Sequence, residues 1–196
     1  MQRAAAATTS TNYAARARAG RRLLAEGAAR GTPRRPARAY RPLPTVLLSV
    51  SKSVKTGEGL ERDFVARLRR YAPFTEVRVR TARKARDAEA ACADEGQRVA
   101  AELDKLQYFN ILLCERGERL TSEQLADALA GAGDRGERGV AVVLGGPFGH
   151  GAAAEQRAHL KLRLSDLVLN HQVAKLVSVE ALYRSHTILR GEPYHH

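Results

Sequence analysis

Hydrophobic spacing along the chain changes at Pro44. From Thr45 onward, short apolar runs rich in β-branched residues alternate with longer stretches at helical spacing. Thr45-Val-Leu-Leu-Ser-Val predicts a buried strand, and Gly57 to Tyr71 predicts a helix with Leu60, Phe64, Val65 and Leu68 on its inner face. Phe74 to Val79 alternates as a strand. Ala88 to Leu106 reads as a long helix with Ala91, Cys92, Val99 and Leu103 inward, Phe109 to Cys114 as a strand, and Ser122 to Ala130 as a helix capped by Thr121. Gly139-Val-Ala-Val-Val-Leu is the most apolar strand. A helix from Gln172 to about Leu189 carries a broad stripe of Val173, Leu176, Val177, Val179, Leu182 and Tyr183, and Gly191 closes it. The tail beyond Gly191 is short enough to fray. Such alternation implies an α/β fold, a mainly parallel sheet with helices on both faces. In these sheets ligands bind beyond the carboxyl ends of the strands.

Before Thr45 no such period exists. Residues 1–44 hold ten arginines, no lysine and one acid, Glu26, a net +9 of the +12 carried by all 196 residues. The high pI of about 10.4 therefore says little about nucleic acid, because most of the charge sits outside the patterned part. An Ala, Arg and Thr-rich, acid-poor segment ending in a Pro/Arg stretch has the composition of an organelle transit peptide, with chloroplast favoured over mitochondrion. A basic arm gripping RNA phosphates is the competing reading. No apolar run is long enough for a membrane span, and Cys92 and Cys114 stand far apart in no metal-ligand pattern, so neither a membrane protein nor a metal site is expected. The expected organisation is a transit segment over 1–44 and one folded domain over 45–196.

Two stretches carry candidate chemistry. The last strong strand runs into Gly145-Gly-Pro-Phe-Gly-His-Gly151, where four glycines let backbone approach a ligand. Neither a P-loop nor G-x-G-x-x-G can be read there, which counts against nucleotide kinases and dinucleotide oxidoreductases. A plain strand-to-helix turn would use the same glycines. In Leu162-Arg-Leu-Ser-Asp-Leu-Val-Leu-Asn-His171, the leucines suit a buried strand or turn, while Ser165, Asp166 and Asn170 need hydrogen-bond partners.

Taken in order, Leu144-Gly-Gly-Pro-Phe-Gly, Leu162 to His171, Val179-Glu-Ala-Leu-Tyr-Arg-Ser-His and Arg190-Gly-Glu-Pro-Tyr-His resemble the RlmH family of SPOUT-class methyltransferases acting on large-subunit ribosomal RNA. Tyr71 and Asp94-Glu-Gly-Gln-Arg-Val agree with it. The resemblance implies a SPOUT fold with a carboxyl-terminal trefoil knot, a homodimer, S-adenosylmethionine as cofactor, and methylation of N3 of a pseudouridine in ribosomal RNA. Carried over by position, the cofactor pocket comprises Leu113, Gly145 and the backbone of Leu164, Ser165, Asp166, Leu167, Val168 and Leu169. Tyr194 and His195 are candidates for contacting the base, and Arg184 for a phosphate or base carbonyl; His171 ranks below His195. The sequence departs from the family pattern at Asn170, where a proline is common, and at Cys114, where an acid is common and Glu115 follows one residue later. Two further readings stand beside it: a non-catalytic, RNA-binding ribosome-assembly factor keeping the same fold, and a flavodoxin-like nucleotide module, which leaves the carboxyl-terminal blocks unexplained.

Overall fold

The structure is a computed structural model that describes residues 40–52, 59–82 and 85–194. Ten elements follow one another: β1 (Thr45–Ser51), α1 (Leu60–Leu68), β2 (Phe74–Arg80), α2 (Ala88–Leu106), β3 (Phe109–Arg119), α3 (Ser122–Asp134), β4 (Val140–Leu144), α4 (Gly151–Glu155), β5 (Leu160–Arg163) and α5 (His171–Leu189). The five strands form one sheet in the order β2-β1-β4-β3-β5, and every pairing is parallel. β4, wholly buried along its length, lies between β1 and β3.

Both sheet faces are covered, as continuous apolar strands require. Leu47, Ile111 and Val142 meet Leu68 of α1, Leu125 and Leu129 of α3, and Val179 and Leu182 of α5. Leu48, Leu112 and Val143, one residue out of phase, meet Val99 and Leu103 of α2 and Ala154 of α4. The helix ends follow local chemistry. Asp87 caps α2, its side chain accepting from Ala90 N at 2.7 Å. Thr121 and Gln124 form a reciprocal capping box on α3. Gly191, with φ 66°, ends α5 while Gly191 N and Glu192 N donate to Ile188 O and Thr187 O, the paired bonds of a Schellman motif.

The structure differs from the expected pattern at four places. β3 runs on to Arg119, because its register slips between Leu113 and Glu118 and the charged segment then pairs with Leu162 and Arg163. Leu60, expected inward, is 58% exposed at the start of α1, where only Val65 and Leu68 are fully buried. α3 continues four residues past Ala130. Residues ahead of β1 belong to the folded body: Leu43 is buried in the main core, and the Tyr40 hydroxyl lies 2.9 Å from His186 Nδ1. The transit-peptide expectation falls, for residues 1–39, outside the described residues.

Candidate active site

The carboxyl ends of β1, β3 and β4 open into a cavity of about 980 Å³. Its floor is the turn leaving β4. Gly149 N donates to Gly146 O at 3.1 Å, and Gly149 and Gly151 adopt φ of 92° and 66°, which non-glycine residues resist. Gly145 and Gly146 are needed for a different reason. A Cβ at Gly145 would lie 2.9 Å from Gly149 O and 3.1 Å from the His150 ring, and one at Gly146 would collide with the Glu95 carboxylate. The turn also packs backbone to backbone on α2, since a Cβ at Gly96 would come within 2.7 Å of His150 O.

His150 lines the cavity and is almost fully buried. Its Nε2 donates to Leu113 O at 2.6 Å, so the neutral ring carries its proton there and leaves Nδ1 as a lone-pair acceptor with no partner. Burial holds its pKa below the usual histidine range, only partly offset by the Leu113 carbonyl. The histidine thereby ties the end of β3 to the turn after β4. Nothing in its local sequence signals this role.

The opposite wall is the loop from β5 to α5. Leu164, Ser165, Leu167, Val168 and Leu169 all line the cavity with Leu113 and Gly145, so seven of the eight residues expected in the cofactor pocket share one cavity. Asp166 does not line it. It is held outward by Arg119 at 2.7 Å and Arg163 at 2.9 Å, because two guanidinium groups offer more than the apolar slot can. Leu167 and Val168 are not core residues either, being 76% and 78% exposed at the cavity mouth. The loop turns where Leu167 N donates to Ser165 Oγ at 3.0 Å. Asn170 then caps α5, its side chain accepting from Gln172 N at 2.9 Å, a bond that proline, with no side-chain acceptor, could not supply.

His171, first residue of α5, reaches the cavity and lies 2.9 Å from Ser49 Oγ. Its pKa is lowered by burial and by the Lys175 ammonium. Lys175 bridges Glu61 at 2.6 Å and Glu76 at 2.5 Å; burial opposes its charge, but the two carboxylates outweigh it and raise its pKa. Lys52, Arg116 and Arg163 stand around the cavity mouth, placing positive charge where a phosphate backbone would approach. Cys114 and Glu115 also line the cavity. Among the described residues no group of three metal-ligating side chains occurs, and no helix is long and apolar enough to cross a membrane.

Tyr194 and Arg184 lie elsewhere. α5 runs antiparallel to the strands, and the thirteen residues from His171 to Arg184 span about 20 Å of helix. There Arg184 pairs with Glu180 at 2.8 Å and lies over the Tyr194 ring at 4.7 Å, while the Tyr194 hydroxyl donates to Glu180 at 3.1 Å. Burial and the Glu180 carboxylate raise the Tyr194 pKa. The tail is packed as far as Tyr194 rather than frayed: Tyr194 sits edge-on to Tyr183, and Glu192 accepts from the Tyr71 hydroxyl. His195 lies outside the described residues. Tyr194 and Arg184 thus pack on the carboxyl-terminal half of α5, while the cavity meets its amino end at His171 and Ala174.

Similarity to known proteins bears on this arrangement. Residues 45–195 match the family described as predicted SPOUT methyltransferase. A candidate RNA methyltransferase of Arabidopsis thaliana is 39% identical over 160 residues, 81% of this chain and 82% of its own length. Proteins named ribosomal RNA large subunit methyltransferase H are 45% identical over 108 residues in Brucella anthropi, covering 55% of this chain and 67% of theirs, and 39% identical over 136 residues in Syntrophotalea carbinolica, covering 68% and 85%.

Proposed function

The chain belongs to the SPOUT methyltransferase family, and on that footing we propose that it transfers a methyl group from S-adenosylmethionine to N3 of a pseudouridine in large-subunit ribosomal RNA. The observation that carries this reading is the cavity beyond β4, where residues matched to the family's cofactor segment, Leu113, Gly145 and the 164–169 loop, converge although they are up to 56 positions apart. The cavity suits the proposed cofactor. Leucine side chains form a slot for a flat adenine, glycine backbone allows close approach, and His150 Nδ1 waits without a partner at the wall.

When bound, S-adenosylmethionine supplies an electrophilic methyl group. The rest falls to the chain. The Gly145 turn and the 164–169 loop fix the donor's orientation, the rim cations Lys52 and Arg116 draw in the RNA backbone, and Tyr194 with His195 holds the target base. Because Tyr194 and Arg184 pack on the carboxyl-terminal half of α5 and line no part of the cavity, this assignment has the tail of one protomer complete the site of another. Apolar side chains left exposed at Leu167, Val168 and Val173 support such a homodimer. The trefoil knot comes with the family reading, and residues 1–39, ahead of the packed Tyr40 and Leu43, are assigned to organelle targeting, chloroplast before mitochondrion.

Large ribosomal subunits lacking the methyl mark, incubated with the protein and S-adenosylmethionine labelled in its methyl group, should gain one label, located by mass spectrometry at N3 of a pseudouridine. Cofactor-dependent label at another atom would replace the proposed target. Tight binding to the subunit without any transfer or cofactor affinity would instead make the protein a non-catalytic assembly factor.

A further inference from the structure

The motif Asp94-Glu-Gly-Gln-Arg-Val lies on α2, away from the cavity lining, and the assignment above gives it no chemistry. Its first acid is used on its own helix, where Asp94 pairs with Arg98 at 2.5 Å on the surface. Glu95 is different. It is only 3% exposed, beneath the glycine turn. Its Oε1 accepts from Ala82 N at 3.0 Å, and its Oε2 has no hydrogen-bond partner. No ion pair to Glu95 occurs among the described residues. The same Oε2 occupies the space a Cβ on Gly146 would need, with Val50 Cγ1 beside it. Gly146, Val50, Thr81 and Cys92 all line the cavity, so the orphaned oxygen stands directly behind its floor.

A buried carboxylate with a single backbone donor is costly to keep unless a positive charge comes to it. We propose that Glu95 is the counter-charge for the cationic sulfonium of the methyl donor, selecting the charged cofactor over its spent form. The proposal rests on the cofactor reading above. On transfer the carbon–sulfur bond breaks with its electron pair left on sulfur, the N3 lone pair forms the new nitrogen–carbon bond as the N3 proton passes to solvent, and the sulfonium becomes an uncharged thioether. A fixed negative charge behind the turn therefore favours the methylated form and loosens the product after each turnover.

Other acids near the cavity do not match this role. Glu115 is exposed, and Glu155 is exposed and paired with Lys161 at 2.7 Å, so water screens both. Around Glu95 the surroundings are protein, where the same charge acts over a longer range. Substitution of Gly146 would displace the carboxylate, which accounts for glycine there better than backbone conformation does, because its φ is not positive.

The test compares S-adenosylmethionine with S-adenosylhomocysteine by calorimetry, using the full chain and Glu95→Gln, with thermal unfolding to follow the fold. Glu95→Gln should weaken the sulfonium ligand by about fivefold or more and leave the thioether within about twofold. Equal losses for both ligands would make Glu95 a structural support of the turn and overturn the proposal, as would no loss for either. Should Glu95→Gln not fold, the wild-type chain decides: it should bind S-adenosylmethionine at least about fivefold tighter than an uncharged isostere with carbon in place of the sulfonium, and equal affinity would overturn the proposal. If the wild-type chain bound none of these ligands, the cofactor reading would fall and this proposal with it.

Discussion

Replacing Gly145 by alanine adds one methyl group at the closest point of the glycine turn. The new Cβ would lie 2.9 Å from Gly149 O, 3.1 Å from His150 Cε1 and 3.2 Å from Gly149 C. Each is a few tenths of an ångström inside ordinary contact, and two of the three neighbours are backbone atoms of a turn that cannot give without moving the cavity floor. Overpacking of this kind costs about 1–3 kcal/mol. A domain with ~5–15 kcal/mol of stability survives that loss. The cavity does not, because the displaced His150 ring carries the 2.6 Å bond to Leu113 O. Cofactor affinity should fall by about 10- to 100-fold, which corresponds to about 1.4–2.8 kcal/mol of the same strain appearing in binding. Gly136→Ala is the matched control: its φ of 75° strains a side chain, but nothing lies within 4 Å of the new Cβ. Calorimetry with S-adenosylmethionine should find Gly136→Ala less stable yet wild-type in affinity. Wild-type affinity in Gly145→Ala, or an equal loss in Gly136→Ala, would refute the steric argument and return the turn to mere chain reversal.

Deleting Tyr194 to His196 should leave cofactor affinity within about threefold and cut methyl transfer to ribosomal particles by on the order of a hundredfold; unchanged single-turnover transfer would remove the tail from the site. Removing residues 1–39 should leave the thermal midpoint unchanged, whereas also removing Tyr40 to Pro44 should cost about 2–4 kcal/mol, from burial of Leu43 and the Tyr40–His186 bond, measured by urea unfolding. His186 is held neutral, its pKa lowered to about 4 by burial and by Arg190. The unfolded chain binds the extra proton first, so stability contributed by neutral His186 is complete above pH 6.5 and falls by about 3 kcal/mol as pH drops toward 4; His186→Gln should flatten that slope, and an unaltered slope would assign it to other groups.

What could be read from sequence followed from how local each signal was. α2 matches its expected span from Ala88 to Leu106 because its cap, period and end all lie within it. The turn after β4 was equally legible, since glycines cluster where a strand meets a helix. Glu115 to Arg119 was not read as strand, because a run of charges carries no apolar period and pairs only after β5 arrives to receive it. Leu167 and Val168 look like core and are not: hydrophobicity marks a ligand wall or a subunit contact as readily as an interior. Asp166 enters the expected pocket through its backbone, while its side chain turns to two arginine partners 47 and 3 residues away, and only folding brings the first of them near. The sequence marks Glu95 only as part of a matched motif and gives no sign of its burial or of the His150 bond to Leu113 O. Both depend on α2 lying against the glycine turn, and the one local hint was Gly96, whose missing side chain permits that approach.

α5 has its amino end in the cavity and the tail packed on its carboxyl-terminal half, outside the cavity lining. If two chains pair with shared sites as proposed, each helix would serve two reaction centres, one at each end. Genetic complementation follows. A chain with a ruined turn and a chain with a ruined tail are each inactive alone, yet mixed pairs rebuild one whole centre from the sound end of each helix. Alleles of this gene would then fall into two groups, sorted by whether they damage the glycine turn or the tail, and only crosses between groups would restore the methyl mark.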